Sequence, residues 1–400
     1  MDKSNENIRN IQIYNQLVEK ASYRWDDYSS VLDYLVDRLD NYKNHIMALD
    51  GYVQSKVLEN KEILVGLNPK IIDVMIQYLK GKIPAAYDSM KEAFEFIENI
   101  LIRKSKKSEE ESILREKFVF KARELRDGEQ PLQSRSDMFH IPFDKRHLVA
   151  SQRFSISGVP SIYLGESIYD CYEELLKPNL ENFWVSLFHF SPSSDSSKGI
   201  KLVDLTFANQ KHLFPILWNQ EKKNDEAYVA AVDELVNDIL LYPLIMACSI
   251  VCKFPNASFK QEYVVPQMLY QLCSVSNSFN GVKFYSTKLD GMNRKKMQNV
   301  MINYALPAQN IRAVGHCPIL TSWLSLTDPI SAEICGDIKI KADPALGRTT
   351  MGLPIISMKC AELKDDKTVL ALDKMTMYFE KILAEKDLKA LRPLCGWKTI

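Results

Sequence analysis

The segment "RDGEQPLQSRSD" (126–137) constrains this chain more than any other stretch. It carries Gly, Pro, Ser and charges without apolar periodicity, and the patterns on its two sides differ. Before it, residues 8–127 read as helical. "YSSVLDYLVDRLDNY" spaces Val31, Leu32, Leu35, Val36 and Leu39 as one amphipathic stripe, and "PKIIDVMIQYLKGK" repeats the pattern between Pro69 and Gly81. "AAYDSMKEAFEFIENILI" adds a further helix, and the charged run 103–117 reads as a solvated face or connection. After 137, short strand-like pieces ("MFHIPF", "SIYLG", "FWVSLFHF", "IKLVDLT", "GVKFYST", "NVMINYAL") alternate with helical ones ("IYDCYEELL", "DEAYVAAVDELVNDILL") without regular βαβ spacing. The expected class is α+β: an all-helical N-terminal domain followed by a domain on a mixed sheet. The expected boundaries are 1–130, 131–310 and 311–400, the last a C-terminal extension packed on the second domain. "EICGDIKIKADP" within it reads as strand and "DKMTMYFEKILAEKDLKAL" as a terminal helix.

Composition narrows the function. At 400 residues with 46% apolar residues, the chain can bury a full core. Its 51 basic and 51 acidic residues cancel, which argues against a nucleic-acid binder working through a broad basic surface. The eight cysteines form no CxxC pair, and Cys248 and Cys252, four apart in an apolar run, read as core. Free thiols and a polar N-terminus point to a soluble cytoplasmic protein. The run "ILLYPLIMACSIVC" (239–252) is too short to cross a bilayer and contains Pro243, so it reads as a buried helix or strand. No glycine-rich phosphate loop, HExxH or GxSxG is present, and the six histidines form no close metal-binding pair, so no metal is expected.

One stretch, 138–176, concentrates reactive groups beside expected element edges. Arg153 stands in the polar turn "SQRFSISG"; read alone it is a surface arginine, while its fork suits phosphate oxygens. Tyr163 precedes Gly165, so its ring can stack on a planar ligand that the glycine lets approach; read alone it is a core tyrosine. Ser167 suits the N-cap of the next helix, which Pro178 ends. On that helix Glu173 and Glu174 fall on opposite flanks, and periodicity does not choose clearly between them. Elsewhere, Glu262 reads as a salt-bridge or helix-start residue and "NRKKMQN" (293–299) as a solvated loop.

In combination, "FHI", "QRF", "YLG" and "CYEE", followed by "KLVDLT" and by "FNGVKFYSTK" with Tyr285 and Ser286, resemble the RES-domain family, named for its Arg, Glu and Ser. The resemblance covers about 138–310 and looks like a longer subgroup with a helical N-terminal extension. The eleven-residue spacing from Tyr163 matches the family pattern at Glu174. His140 stands where short members carry a first-strand Arg, as in diphtheria-toxin-type ADP-ribosyltransferases, and Phe154 replaces the usual Trp. The resemblance implies an ADP-ribosyltransferase-like fold and an enzyme that takes NAD as substrate and breaks its nicotinamide–ribose bond. Glu174, Ser286 and Arg153 would be catalytic. His140, Tyr163, Tyr285 and Glu173 would bind substrate. Such an enzyme would be a glycohydrolase or phosphorylase acting as a toxin or antiphage-defence effector, with the N-terminal helices regulating it or forming a homo-oligomer. The alternatives are an ADP-ribosyltransferase with a macromolecular target, and an inactive RES fold serving as a binding module.

Overall fold

Proline 243 sits inside a helix, and a tyrosine repairs the gap it leaves. A computed structural model describes residues 3–21, 24–111, 118–190, 200–218, 225–288, 301–332, 335, 342–343, 348–349, 366–384 and 392–393. The fold is α+β, with a helical N-terminal region and both parallel and antiparallel strand pairing. Contacts divide the chain into two units. The first comprises 1–108, 151–156 and 201–299; the second comprises 109–150, 157–200 and 300–400. They therefore do not follow the expected sequential boundaries.

The reason lies in the first unit. Helices α1 (Lys3–Lys20), α2 (Val31–Met47), α3 (Gly51–Leu58), α4 (Lys61–Leu79) and α5 (Ile83–Glu111) are amphipathic and need an apolar partner. The partner comes from the distant run 239–252, which forms the second half of α8 (Glu226–Ser249). From Ile239 to Ser249 every residue of that helix is buried, and α1, α2, α3 and α4 all pack on it. Such a helix, apolar all round, belongs in a core. Pro243 cannot donate to the carbonyl of Ile239 four residues back. The Tyr42 hydroxyl donates to that oxygen instead, at 3.0 Å, while its ring stacks on Tyr242 at 5.2 Å. Helix α2 starts at Ser30, whose side chain accepts from the Asp33 amide, and the chain leaves α4 through Gly81 at φ +75°.

The same unit holds a buried polar network. The Asp238 carboxylate accepts from Lys104 Nζ, from Tyr14 Oη at 2.5 Å and from the Ala208 amide at 2.7 Å. Asp204 accepts from Lys283 Nζ at 2.9 Å and from the amide and hydroxyl of Thr206 at 2.8 and 2.6 Å. These bonds fix the chain leaving β4 (Leu202–Asp204), which pairs in parallel with β5 (Gly281–Tyr285). Helix α9 (Val264–Val275) packs on β5.

The second unit is an antiparallel sheet. Its first strand, β1 (Phe118–Glu124, "FVFKARE"), lies in sequence that reads as helical, just after a charged run. It pairs along its whole length with β3 (Phe183–Phe190) and, on its other side, with β2 (Ser161–Gly165) through Phe120 and Gly165. β2 pairs with β6 (Ile302–Pro307), and β3 with β7 (Leu324–Leu326) and β8 (Ile330–Ser331). The expected strand "MFHIPF" does not form: 3₁₀ turns at Arg135–Met138 and Phe143–Leu148 flank it, and Pro142 caps the second. On one sheet face lie α6 (Ile168–Glu174) and the helix Asp366–Ala384, whose Phe379 meets Phe120 at 5.8 Å. Turns around Phe139 cover the other, with Phe139 stacked on Phe188 at 6.5 Å. The loops 192–199 and 293–299 and most of "EICGDIKIKADP" lie outside the described residues.

Candidate functional site

The local chemistry that sets Glu174 in place begins at Ser167. Its hydroxyl accepts from the Asp170 amide at 3.0 Å, and Asp170 returns the bond to the Ser167 amide at 3.0 Å, closing a capping box that starts α6. The helix ends as Leu176 and Lys177 turn to φ of 61° and 59°. Gly165 has a purpose other than the one its sequence position suggests. A Cβ there would stand 3.0 Å from Cys171 Sγ and 3.2 Å from Asp170 Cβ, so the missing side chain admits α6 rather than a ligand.

The two glutamates separate. Glu173 is buried and accepts from Tyr169 Oη at 2.6 Å, with Lys177 Nζ 3.3 Å away. Glu174 is half-buried, and its Oε1 accepts from Asn303 Nδ2 at 2.7 Å. Asn303 stands opposite Gly165 in the β2–β6 ladder, and directly opposed residues share a sheet face. Tyr163, two residues before Gly165 on β2, points to that face as well. The half-buried Tyr163 ring and the Glu174 carboxylate therefore belong to one face, and Asn303 orients the acid. Sequence reasoning missed Asn303. Its signal, a polar residue in the strand "INYALP", was present but had no partner until the register was known.

His140 is fully committed to the backbone. Nδ1 meets the Ile141 carbonyl at 2.7 Å, and Nε2 accepts from the Cys317 amide at 2.8 Å. That pattern fixes a neutral imidazole with its proton on Nδ1. Burial pushes its pKa down to about 3. With both nitrogens occupied, His140 ties the 138–142 turn to residue 317 and is not placed to bond a ribose or an amide, the role expected for it.

Arg153, Tyr285 and Ser286 belong to the first unit. Arg153 is buried, neither a surface arginine nor an open phosphate fork. Nη1 donates to the Cys248 carbonyl at 3.1 Å, and Nη2 donates to Ile250 O at 2.9 Å and Thr287 Oγ1 at 2.8 Å. Its guanidinium carbon lies 4.9 Å from the Tyr263 ring centre. It thereby caps the carbonyl end of α8, where a cation is favoured by the helix dipole. The buried Tyr285 hydroxyl donates to Phe207 O at 3.1 Å and accepts from the Phe207 amide at 3.2 Å, bracing the strand exit. Ser286 is buried and accepts from the Lys288 amide at 3.3 Å. Glu262, read as a salt-bridge or helix-start residue, stands in a 3₁₀ turn just before α9 and is buried; it accepts from Trp25 Nε1 at 2.8 Å and the Lys253 amide at 2.9 Å. Among the described residues no group of three or more His, Cys, Asp and Glu could hold a metal ion, and no helix is long and apolar enough to cross a membrane.

No family model matches the chain. No solved structure matches it. Among curated proteins it is similar to "Putative toxin YopC" of Bacillus subtilis (strain 168), at 32% identity over 219 residues, 52% of this chain and 46% of that protein. The chain thus spans less than half the length of this relative.

Proposed function

We propose that the chain is a toxin-type effector that cleaves the nicotinamide–ribose bond of NAD, with Glu174 as the group that stabilises the ribosyl cation. The observation that carries this reading is the half-buried Glu174 carboxylate, oriented by Asn303 on the sheet face to which Tyr163 also points. The similarity to a protein named a putative toxin supports the effector part.

The chemistry follows from the charge that develops. The C–N bond breaks with its electron pair going to nicotinamide, which leaves neutral, and positive charge spreads over C1′ and the ring oxygen of the ribose. A carboxylate beneath the sugar stabilises that cation and accepts from the 2′-hydroxyl. The Asn303 amide holds one carboxylate oxygen, so the acid needs little reorganisation as charge develops. Tyr163 supplies a ring on which the nicotinamide stacks. Water, or phosphate, adds at C1′ and gives its proton to solvent. The histidine and the arginine act here as frame residues, holding the 138–142 turn and the end of α8.

The test is nicotinamide release from NAD by the purified full chain beside Glu174→Gln, which keeps the Asn303 contact geometry but removes the charge. Loss of about 10²-fold or more in kcat with an unchanged melting midpoint is expected for a lost electrostatic stabiliser. Turnover retained in the variant removes Glu174 from the reaction, and no turnover by the wild type removes NAD as the substrate.

A further inference from the structure

The opposite face of the second unit's sheet carries polar groups that the proposed reaction does not use: Ser186 and His316 are buried and Lys121 is half-buried. On β1, Lys121 points away from the α6 side, since its neighbour Phe120 points toward Phe379. Its Nζ donates to the Phe139 carbonyl at 2.6 Å, its one bond among the described residues, though the group has three donors. Directly opposite on β3 stands Ser186, fully buried, whose Oγ has no hydrogen-bond partner. Across the Phe139 ring, at 5.4 Å between centres, is His316, 8% exposed; its ring faces the His140 backbone, but neither nitrogen reaches a hydrogen bond of full geometry. Orphaned buried polar atoms each cost about 1–3 kcal/mol, so a native interior holds few of them. Here His316 stands beside Phe139, and Ser186 stands opposite Lys121, which bonds the Phe139 carbonyl.

Among the described residues Lys121 forms no ion pair with a carboxylate, and Arg123, two residues along the same face, repels it. The acids nearest His316, Asp137 and Asp144, are exposed and already accept from the Ser134 and Gly315 amides. Burial pushes the Lys121 ammonium down to about 8. A water molecule would satisfy the orphaned hydroxyl and imidazole, but it would leave the lysine charge uncompensated. An anion satisfies both.

We propose that Lys121, Ser186 and His316 form a binding site for a small oxyanion, on the sheet face opposite Glu174. The ammonium and hydroxyl donate to its oxygens, and the imidazole donates through whichever nitrogen bears the proton. This site is independent of NAD cleavage.

The experiment is thermal melting of the full chain at constant ionic strength in chloride, acetate, sulfate and phosphate. Phosphate or sulfate is expected to raise the midpoint by several degrees, saturably in the millimolar range, while chloride does not. Lys121→Met is expected to abolish the shift and Ser186→Ala to weaken apparent affinity about 10-fold or more, the worth of one charge-assisted bond. Glu174→Gln is expected to keep the shift, which separates this site from the proposed catalytic one. Should Lys121→Met fold poorly, the Ser186→Ala titration decides alone. Equal midpoints in all four anions, or a full phosphate shift in Ser186→Ala, overturns the proposal and leaves an internal water as the occupant.

Discussion

Arg153→Lys is the substitution that best separates a frame residue from a ligand clamp. The guanidinium makes three bonds to buried acceptors: Cys248 O at 3.1 Å, Ile250 O at 2.9 Å and Thr287 Oγ1 at 2.8 Å. A lysine keeps the charge, but from one point it can reach one of these, so two acceptors lose their donor. Bonds to a charged donor contribute roughly 1.5–3 kcal/mol each, and a partly relaxed site recovers some of that, so the loss should be about 2–5 kcal/mol. The stacking on Tyr263, 4.9 Å from the guanidinium carbon, is weakened as well. For a unit of this size each kcal/mol moves the midpoint by roughly 2–4 °C, which puts the expected drop between about 4 and 20 °C. Differential scanning calorimetry of both proteins, with NAD turnover measured well below the lower midpoint, makes the comparison. A midpoint within about 1 °C of wild type, together with a raised KM for NAD, would refute the bracket assignment and restore the phosphate-clamp reading.

Three further outcomes follow from particular contacts. Tyr42→Phe removes the donor that Ile239 O receives in place of the Pro243 amide, and should cost about 1–3 kcal/mol by chemical denaturation; no change would mean that the carbonyl finds water. Burial alone would raise the Asp204 carboxyl, but Lys283 and Lys104 together with Thr206 hold it down to about 2. Its folded value lies below its unfolded one, so its stabilisation, roughly 2–3 kcal/mol, is present above about pH 4 and is lost as pH falls through about 2. Lys283→Met should flatten that acid limb of the stability curve. Burial pushes the Cys273 thiol up to about 12 and raises Cys171 and Cys248 further, so among the cysteines of the described residues iodoacetamide at pH 8 should label half-buried Cys252 first, with early labelling of Cys273 counting against the packing.

Periodicity made the helices legible because an amphipathic stripe is a local property: of its expected stripe α2 buries Val31, Leu35 and Leu39, while Leu32 is half-buried and Val36 exposed at the edge. The boundaries were not legible, because they depend on which apolar surface covers which. Nothing local to residues 1–108 says that their stripes close on a helix beginning at Glu226. Strand β1 was hidden for a related reason. "FVFKARE" places a lysine and an arginine on one side, which in isolation suits a helix flank, and only pairing with β3 turns that side into a sheet face. The candidate site divides along the same line. The capping box at Ser167 and Asp170 can be read from four adjacent residues. Periodicity left Glu173 and Glu174 open and the family spacing pointed to Glu174, but its partner Asn303 stands 129 positions beyond it and meets it only through the β2–β6 register. Arg153 shows the converse error. A polar, Ser-rich turn reads as surface, yet the carbonyls that α8 leaves unpaired at its end draw a cation inside. The residues whose roles changed most are those whose partners are backbone atoms: His140 on Ile141 and Cys317, Arg153 on Cys248 and Ile250, Tyr285 on Phe207. Backbone carbonyls and amides carry no sequence signature, so a side chain recruited to satisfy them cannot be told from a ligand-binding one until the chain is folded.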